Sequence, residues 1–224
     1  MIFAKIDYIN LLPFEIFIKK YIQSSRIKST IRYKETYPAK INVQVNKKRV
    51  NAGFISSIAS KNEKTLNAGI VAKKEVLSVL SVKGAYEKDK ESATSNALCK
   101  VLGLDGKVII GDKALYFWHH NKEKSENVID LAKFWQEKYN LPFVFARLSY
   151  NKHGAYLKKL THKFLQTKVK IPRYILDKYA KNTGITQKQI LSYLEKISYN
   201  IGPKEQKALR KFFILARNVD KGFK

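Results

Sequence analysis

The chain has 224 residues and a mass of 25.9 kDa, long enough to bury roughly 70% of the surface its unfolded form exposes. Its 45% hydrophobic content, with only 10 Gly and 5 Pro, excludes disordered, collagenous and low-complexity classes. The 44 Lys and Arg against 18 Asp and Glu leave a net charge of +26, a balance that attracts nucleic acid, anionic lipid or small anionic substrates.

Residues 2–6 read as a strand, 13–21 as a helix with Pro13 in its first turn, and 29–34 as a second strand. Pro38 opens another helix through Ile41 and Val45, and residues 52–55 form a short apolar strand ending at Ser56 and Ser57. This βαβαβ order predicts a parallel sheet wrapped by helices. The run 69–82, GIVAKKEVLSVLSV, has no helical stripe and reads as two strands or one bent one, and the charged residues 84–91 read as a crossing. Ser92 or Thr94 caps a helix to Leu102, residues 108–110 form a strand, 127–139 a helix and 143–148 a strand.

From His153 onward the apolar spacing is helical: Leu157, Leu160, Phe164 and Leu165, then Ile190, Leu191, Leu194 and Ile197, then Leu209, Phe212, Phe213 and Ala216. Thr183 and Gly184 stop one helix, Thr186 with Gln189 forms a capping box for the next, and residues 202–205 open the last. The order predicts two α/β lobes and a helical C-terminal segment with no flexible linker. Ligands of such sheets lie beyond the carboxyl ends of strands, which points to residues 7–10, to Ser56 and Ser57, and to Gly111 and Asp112.

Seven arginines leave lysine to supply 37 of the 44 cations, spread along the whole chain. Nucleic-acid surfaces concentrate charge on one face and favour arginine, so the excess reads as compositional bias and no nucleic-acid partner is expected. The segment 183–186 between two helices has helix-turn-helix spacing, which keeps a DNA-binding alternative in view. No apolar run reaches the 18 residues of a membrane span, and Asp7 and Glu15 interrupt what would be a signal peptide's apolar region. A soluble, cytoplasmic protein without a membrane partner is expected. Cys99 is the only cysteine, which excludes intramolecular disulfides and thiolate-rich metal sites.

Dinucleotide, P-loop, hydrolase-elbow and zincin motifs are all absent. His119 and His120 are adjacent and project apart, and His153 and His162 are nine residues apart, half a turn out of phase, so no metal site is expected. The strand ends and helix starts carry Asn10, Ser56, Ser57, Ser92, Thr94 and Ser95, with Asp112 the one charged residue. Small hydroxyls there are first of all caps. Several such helix starts facing one cleft also make a carboxylate site, because free N–H groups and the helix dipole favour an anion. The residues alone lead to a two-lobed α/β protein for a small polar or carboxylated molecule, with catalysis and simple binding both open.

The runs DYINLLPFEIF at 7–17, NAGFISSI at 51–58, SATSNALCKVLG at 92–103, VIIGDKAL at 108–115, DLAKFWQEKYNLPFVFA at 130–146 and ISYNIGPKEQKALRKFF at 197–213 resemble, in order, the chorismate dehydratase (MqnA) family of futalosine-type menaquinone biosynthesis. The resemblance implies a type 2 periplasmic-binding-protein-like fold with a central cleft, lobe 1 being residues 1–83 with 144–224 and lobe 2 residues 84–143. It implies loss of water from chorismate to give 3-[(1-carboxyvinyl)oxy]benzoate, with no metal or cofactor. Asn10 matches the family's asparagine and is implied as the catalytic hydrogen-bonder. Ser56, Ser57, Thr94 and Ser95 match hydroxyls implied to hold the two carboxylates. Ser78, Gly111 and Asp112 match further site positions. Leu11, Ala59 and Arg147 depart from the pattern, Arg147 standing as a replacement anion anchor. With no charged base in the matched motifs, one of chorismate's own carboxylates is expected to take the proton. The sister dihydroxynaphthoate synthase family opens with a Cys-Pro-Asn-Asp motif that this chain lacks.

Overall fold

The computed structural model describes residues 1–6, 8–21, 32–35, 38–121 and 126–221. Strand β1 (Ile2–Lys5) runs into a 3-10 turn at Ile9–Leu11 and helix α1 (Leu12–Tyr21). It pairs in parallel with β2 (Arg32–Glu35) and β3 (Ala52–Ser56), and α2 (Pro38–Asn46) supplies the crossover between them. The parallel reading of the first half is therefore observed. Asp7, in the segment 7–10 expected at the ligand site, and residues 29–31 of the second predicted strand lie outside the described residues.

The rest of the large sheet is antiparallel. β8 (Phe143–Tyr150) lies between β3 and β4 (Thr65–Ala72), and β9 (Ile197–Asn200) closes the far edge, giving the order β2-β1-β3-β8-β4-β9. β4 and β8 approach so closely at Gly69 that a Cβ there would stand 2.2 Å from the Ala146 carbonyl oxygen. A second sheet has the order β6-β5-β7, from β5 (Val79–Val82), β6 (Lys107–Ile110) and β7 (Val128–Asp130). Helices α3 (Ala93–Leu102), α4 (Gly111–His120) and α5 (Leu131–Tyr139) follow its strands and crossing.

The run 69–82 is two strands, one of the two forms expected of it, and the second, β5, pairs with β6 and β7. Three features differ from the sequence reading. Residues 128–130 are a strand paired with β5, and Asp130 ends it as the N-cap of α5, accepting from Ala132 N and Lys133 N at 2.9 and 3.0 Å. Residues 111–120 form a helix that is not among the predicted elements. β9, predicted as the end of a helix, pairs instead with the edge of β4.

The C-terminal helices α6 (Gly154–Gln166), α7 (Arg173–Thr183), α8 (Gln187–Glu195) and α9 (Pro203–Lys221) cover the large sheet and bridge to the small one. Their ends follow the sequence signals. Gly184 caps α7 in the left-handed region at φ 71°, and Thr186 and Gln189 close a reciprocal capping box on α8. Phe3, Phe14, Phe54 and Phe164 stack beneath β1 and β3 at ring distances of 5.1 to 6.3 Å. A second aromatic cluster joins α9, α5 and the large sheet: Phe212 of α9 lies 5.0 Å from Phe143 of β8 and 6.1 Å from Trp135 of α5. The Trp135 indole N–H, wholly buried, donates to Pro142 O at 3.1 Å. Among the described residues no helix is long and apolar enough to cross a membrane.

Candidate active site

The carboxyl ends of β1 and β3 and the amino ends of α3 and α4 converge on one cavity of about 60 Å³. Tyr8 and Asn10 enter it from the turn after β1, Ser56 from the end of β3, and Ser78 from the crossover between the sheets. Ser92 and Ser95 of the α3 start and Gly111 of the α4 start form the facing wall, and Ile70, Phe145 and Ala146 complete an apolar floor. Among the described residues no charged side chain lines the cavity, and no group of three or more potential metal ligands exists.

Five of the nine sequence-selected residues meet there: Asn10, Ser56, Ser78, Ser95 and Gly111. The Asn10 amide oxygen is buried with no hydrogen-bond partner among the described residues, a costly arrangement that a ligand's donor would relieve. Tyr199 O–H donates to the Asn10 carbonyl at 2.6 Å and holds the turn. Ser56 Oγ accepts from Asn42 Nδ2 at 2.8 Å, leaving its own proton to donate. Ser92 caps α3 through Ser95 N at 3.1 Å.

The other four are employed elsewhere. Ser57, 0% exposed and in the turn that follows β3, donates its hydroxyl to Val144 O at 2.6 Å, away from the cavity. Thr94, 1% exposed, accepts from Ile58 N at 3.1 Å, one helical step away from the cavity-facing Ser95. Asp112 lies outside the cavity and accepts from Ile9 N at 3.2 Å, fixing the residue beside Asn10. Arg147 does not line the cavity. Its guanidinium donates to Thr65, and burial lowers its pKa below the ordinary value. An anion anchor at Arg147 is thus not supported by its position.

Two tyrosines were absent from the sequence-selected set. Tyr8 bridges the cleft, its hydroxyl donating to Glu91, whose other oxygen meets Lys113 Nζ at 3.4 Å. The Tyr8 ring lies against Gly111, where φ is 64° and a Cβ would stand 2.9 Å from the ring, so only glycine serves there. Burial, together with the carboxylate of Glu91, raises the Tyr8 pKa far above the ordinary phenol value. Tyr193 of α8 is buried with its hydroxyl donating to Ser78 Oγ at 3.0 Å, and burial raises its pKa strongly as well. Position 193 follows Ile190 by three residues on the buried face, whereas Leu191, counted in the expected stripe, is 44% exposed.

Comparisons with known proteins give this chain relatives in sequence and in fold. A protein-family model described as menaquinone biosynthesis matches residues 101–218. The chorismate dehydratase of Campylobacter jejuni subsp. jejuni serotype O:23/36 (strain 81-176) is 49% identical over 216 residues, 95% of this chain and 96% of that one. The chain belongs to the chorismate dehydratase family. Among solved structures, protein AF1704 from Archaeoglobus fulgidus aligns with a TM-score of 0.65 at 12% identity, over 100% of this chain and 98% of its own. The periplasmic aliphatic sulphonate binding protein SsuA from Escherichia coli aligns at 0.62 with 13% identity, over 99% of this chain and 87% of its own. These establish the fold as that of the periplasmic binding proteins, two α/β lobes about a cleft.

Proposed function

We propose that the protein dehydrates chorismate to 3-[(1-carboxyvinyl)oxy]benzoate, a hydro-lyase step of menaquinone biosynthesis. The observation that carries this reading is the 49% identity to a chorismate dehydratase across 95% of the chain. In this reaction the ring C–H beside the ether oxygen gives up its proton, its electron pair forms the new ring double bond, and the neighbouring C–O bond breaks. Hydroxide and the proton leave as water, and aromatisation drives the step.

The cavity supports a mechanism in which the chain supplies neutral hydrogen bonds and no base. The carboxyl groups of Glu91 and Asp112, which do not line it, are engaged with Tyr8 and Ile9. One of the substrate's own carboxylates then accepts the ring proton, a transfer that needs positioning and no perturbed enzyme pKa. Asn10 Oδ1, buried and without a partner among the described residues, is the acceptor for the departing hydroxyl group's proton in the bound ground state. Ser56 and Ser95, on opposite walls, are the donors for the two carboxylates, and the α3 start adds its dipole.

The cavity is several times smaller than the roughly 300 Å³ of a small ligand pocket. Residues of the large sheet with the C-terminal helices and residues of the small sheet with α3 to α5 therefore act as lobes that part to admit substrate and close to exclude water. The proposal includes a cytoplasmic setting, consistent with a single buried cysteine, and a small-molecule partner in place of nucleic acid. The test is incubation of the metal-stripped protein with chorismate, followed by chromatography and mass analysis. A product lighter by one water is expected. Stoichiometric binding without turnover would overturn the reading in favour of a binding protein.

A further inference from the structure

A buried tyrosine hydroxyl usually finds a partner, and by itself such a bond is ordinary core satisfaction. Tyr193 differs in where its partner lies. It reaches from α8, a C-terminal helix far along the chain from both sheet ends, and its hydroxyl meets a side chain of the cavity wall, Ser78. Tyr193 itself is 2% exposed and does not line the cavity.

A phenol has one proton to give, and Tyr193 gives it to Ser78 Oγ at 3.0 Å. Ser78, having accepted from Tyr193, keeps its own proton for a further acceptor, and it is 3% exposed with the cavity beside it. The Asn10 amide oxygen, which has no partner among the described residues, lines the same cavity.

We propose that Tyr193 is a positioning residue of this site: its hydroxyl holds that of Ser78 as a donor toward the substrate. The inference rests on the dehydratase reading above. It assigns a role to α8, whose turn toward α7 has helix-turn-helix spacing but whose inner face, Ile190 and Tyr193, is buried against the site. Ser78 then arrives with its donor sense fixed, so the substrate meets an oriented hydroxyl without reorganisation.

The experiment is steady-state kinetics with chorismate for the parent, Tyr193→Phe, Ser78→Ala and the double variant, with thermal midpoints measured alongside. Tyr193→Phe keeps the ring in the core and removes only the hydroxyl. The expected result is a kcat lower by about thirtyfold with KM within about threefold, the scale of lost orientation. In the Ser78→Ala background the same substitution should cost several-fold less than it does alone, because part of its action is already gone. A kcat for Tyr193→Phe within twofold of the parent, or losses that multiply in full in the double variant, would overturn the inference and leave Tyr193 as core packing. A parent that binds but does not turn over chorismate would overturn the dehydratase reading itself, and this inference with it.

Discussion

Tyr8 and Glu91 hydrogen-bond across the mouth of the cleft, the tyrosine coming from the turn after β1 and the glutamate from the residue before the α3 cap. Two further bonds cross the same gap, Ile9 N to Asp112 and Ile58 N to Thr94. The proposed entry of chorismate therefore requires these bonds to break. Glu91 is partly exposed, and its bond to Tyr8 contributes about 1 kcal/mol to the closed state after solvent screening. Glu91→Ala should raise the open population about fivefold, seen as a larger radius of gyration in solution scattering and faster chorismate association. An unchanged radius and association rate would show that this bond does not govern opening.

The two adjacent serines separate binding from folding. Ser56→Ala removes a cavity hydroxyl and should raise KM for chorismate about tenfold, the loss of one charge-assisted hydrogen bond. Ser57→Ala strands the Val144 carbonyl and should cost about 1–2 kcal/mol of stability while leaving KM within about twofold. Equal effects of both on KM would contradict the strand-end geometry.

Phe212 ties the C-terminal helix to the large sheet through Phe143 and to α5 through Trp135. Its ring is 1% exposed, and Phe212→Ala should destabilise the protein by about 3–5 kcal/mol in denaturant unfolding. A cost below about 1 kcal/mol would show that α9 is a loosely held appendage.

The buried phenols predict the alkaline limit of stability. Burial raises the pKa values of Tyr8, Tyr193 and Tyr199 above the ordinary value of about 10. A raised folded-state pKa means that the unfolded chain gives up these protons first. Their stabilising contribution is therefore complete below about pH 10 and is lost as pH rises from there through the folded-state values. The ultraviolet absorbance of tyrosinate should show a slow class that ionises only as the fold is lost, and Tyr193→Phe should shrink it. Titration of all 13 tyrosines in one reversible step near pH 10 would contradict this.

Much of the fold was legible because its signals are local. Ser92, Thr186 with Gln189, and Gly184 each mark a helix end that the structure reproduces. What was illegible depends on tertiary partners. The four residues of β9 continue an i, i+3 apolar spacing from Leu194, and only the open edge of β4 makes them a strand. Residues 128–130 owe their extended form to pairing with β5. In the site, the hydroxyl pairs were visible, yet the members facing the cavity were not separated, because Ser56 ends a strand and Ser57 begins a turn whose course depends on its bond to Val144. Tyr8 and Tyr193 stood in apolar surroundings as ordinary core aromatics. Their roles arise from partners 83 and 115 residues away.

The most direct measurement is turnover of chorismate by the parent protein and by Asn10→Ala, with binding to each measured in parallel. The account predicts that the parent releases the product lighter by one water. Asn10→Ala should still bind chorismate but turn it over at least about a hundredfold more slowly, the scale on which an oriented hydrogen-bonding group contributes. Turnover by Asn10→Ala at the parent rate would contradict the account.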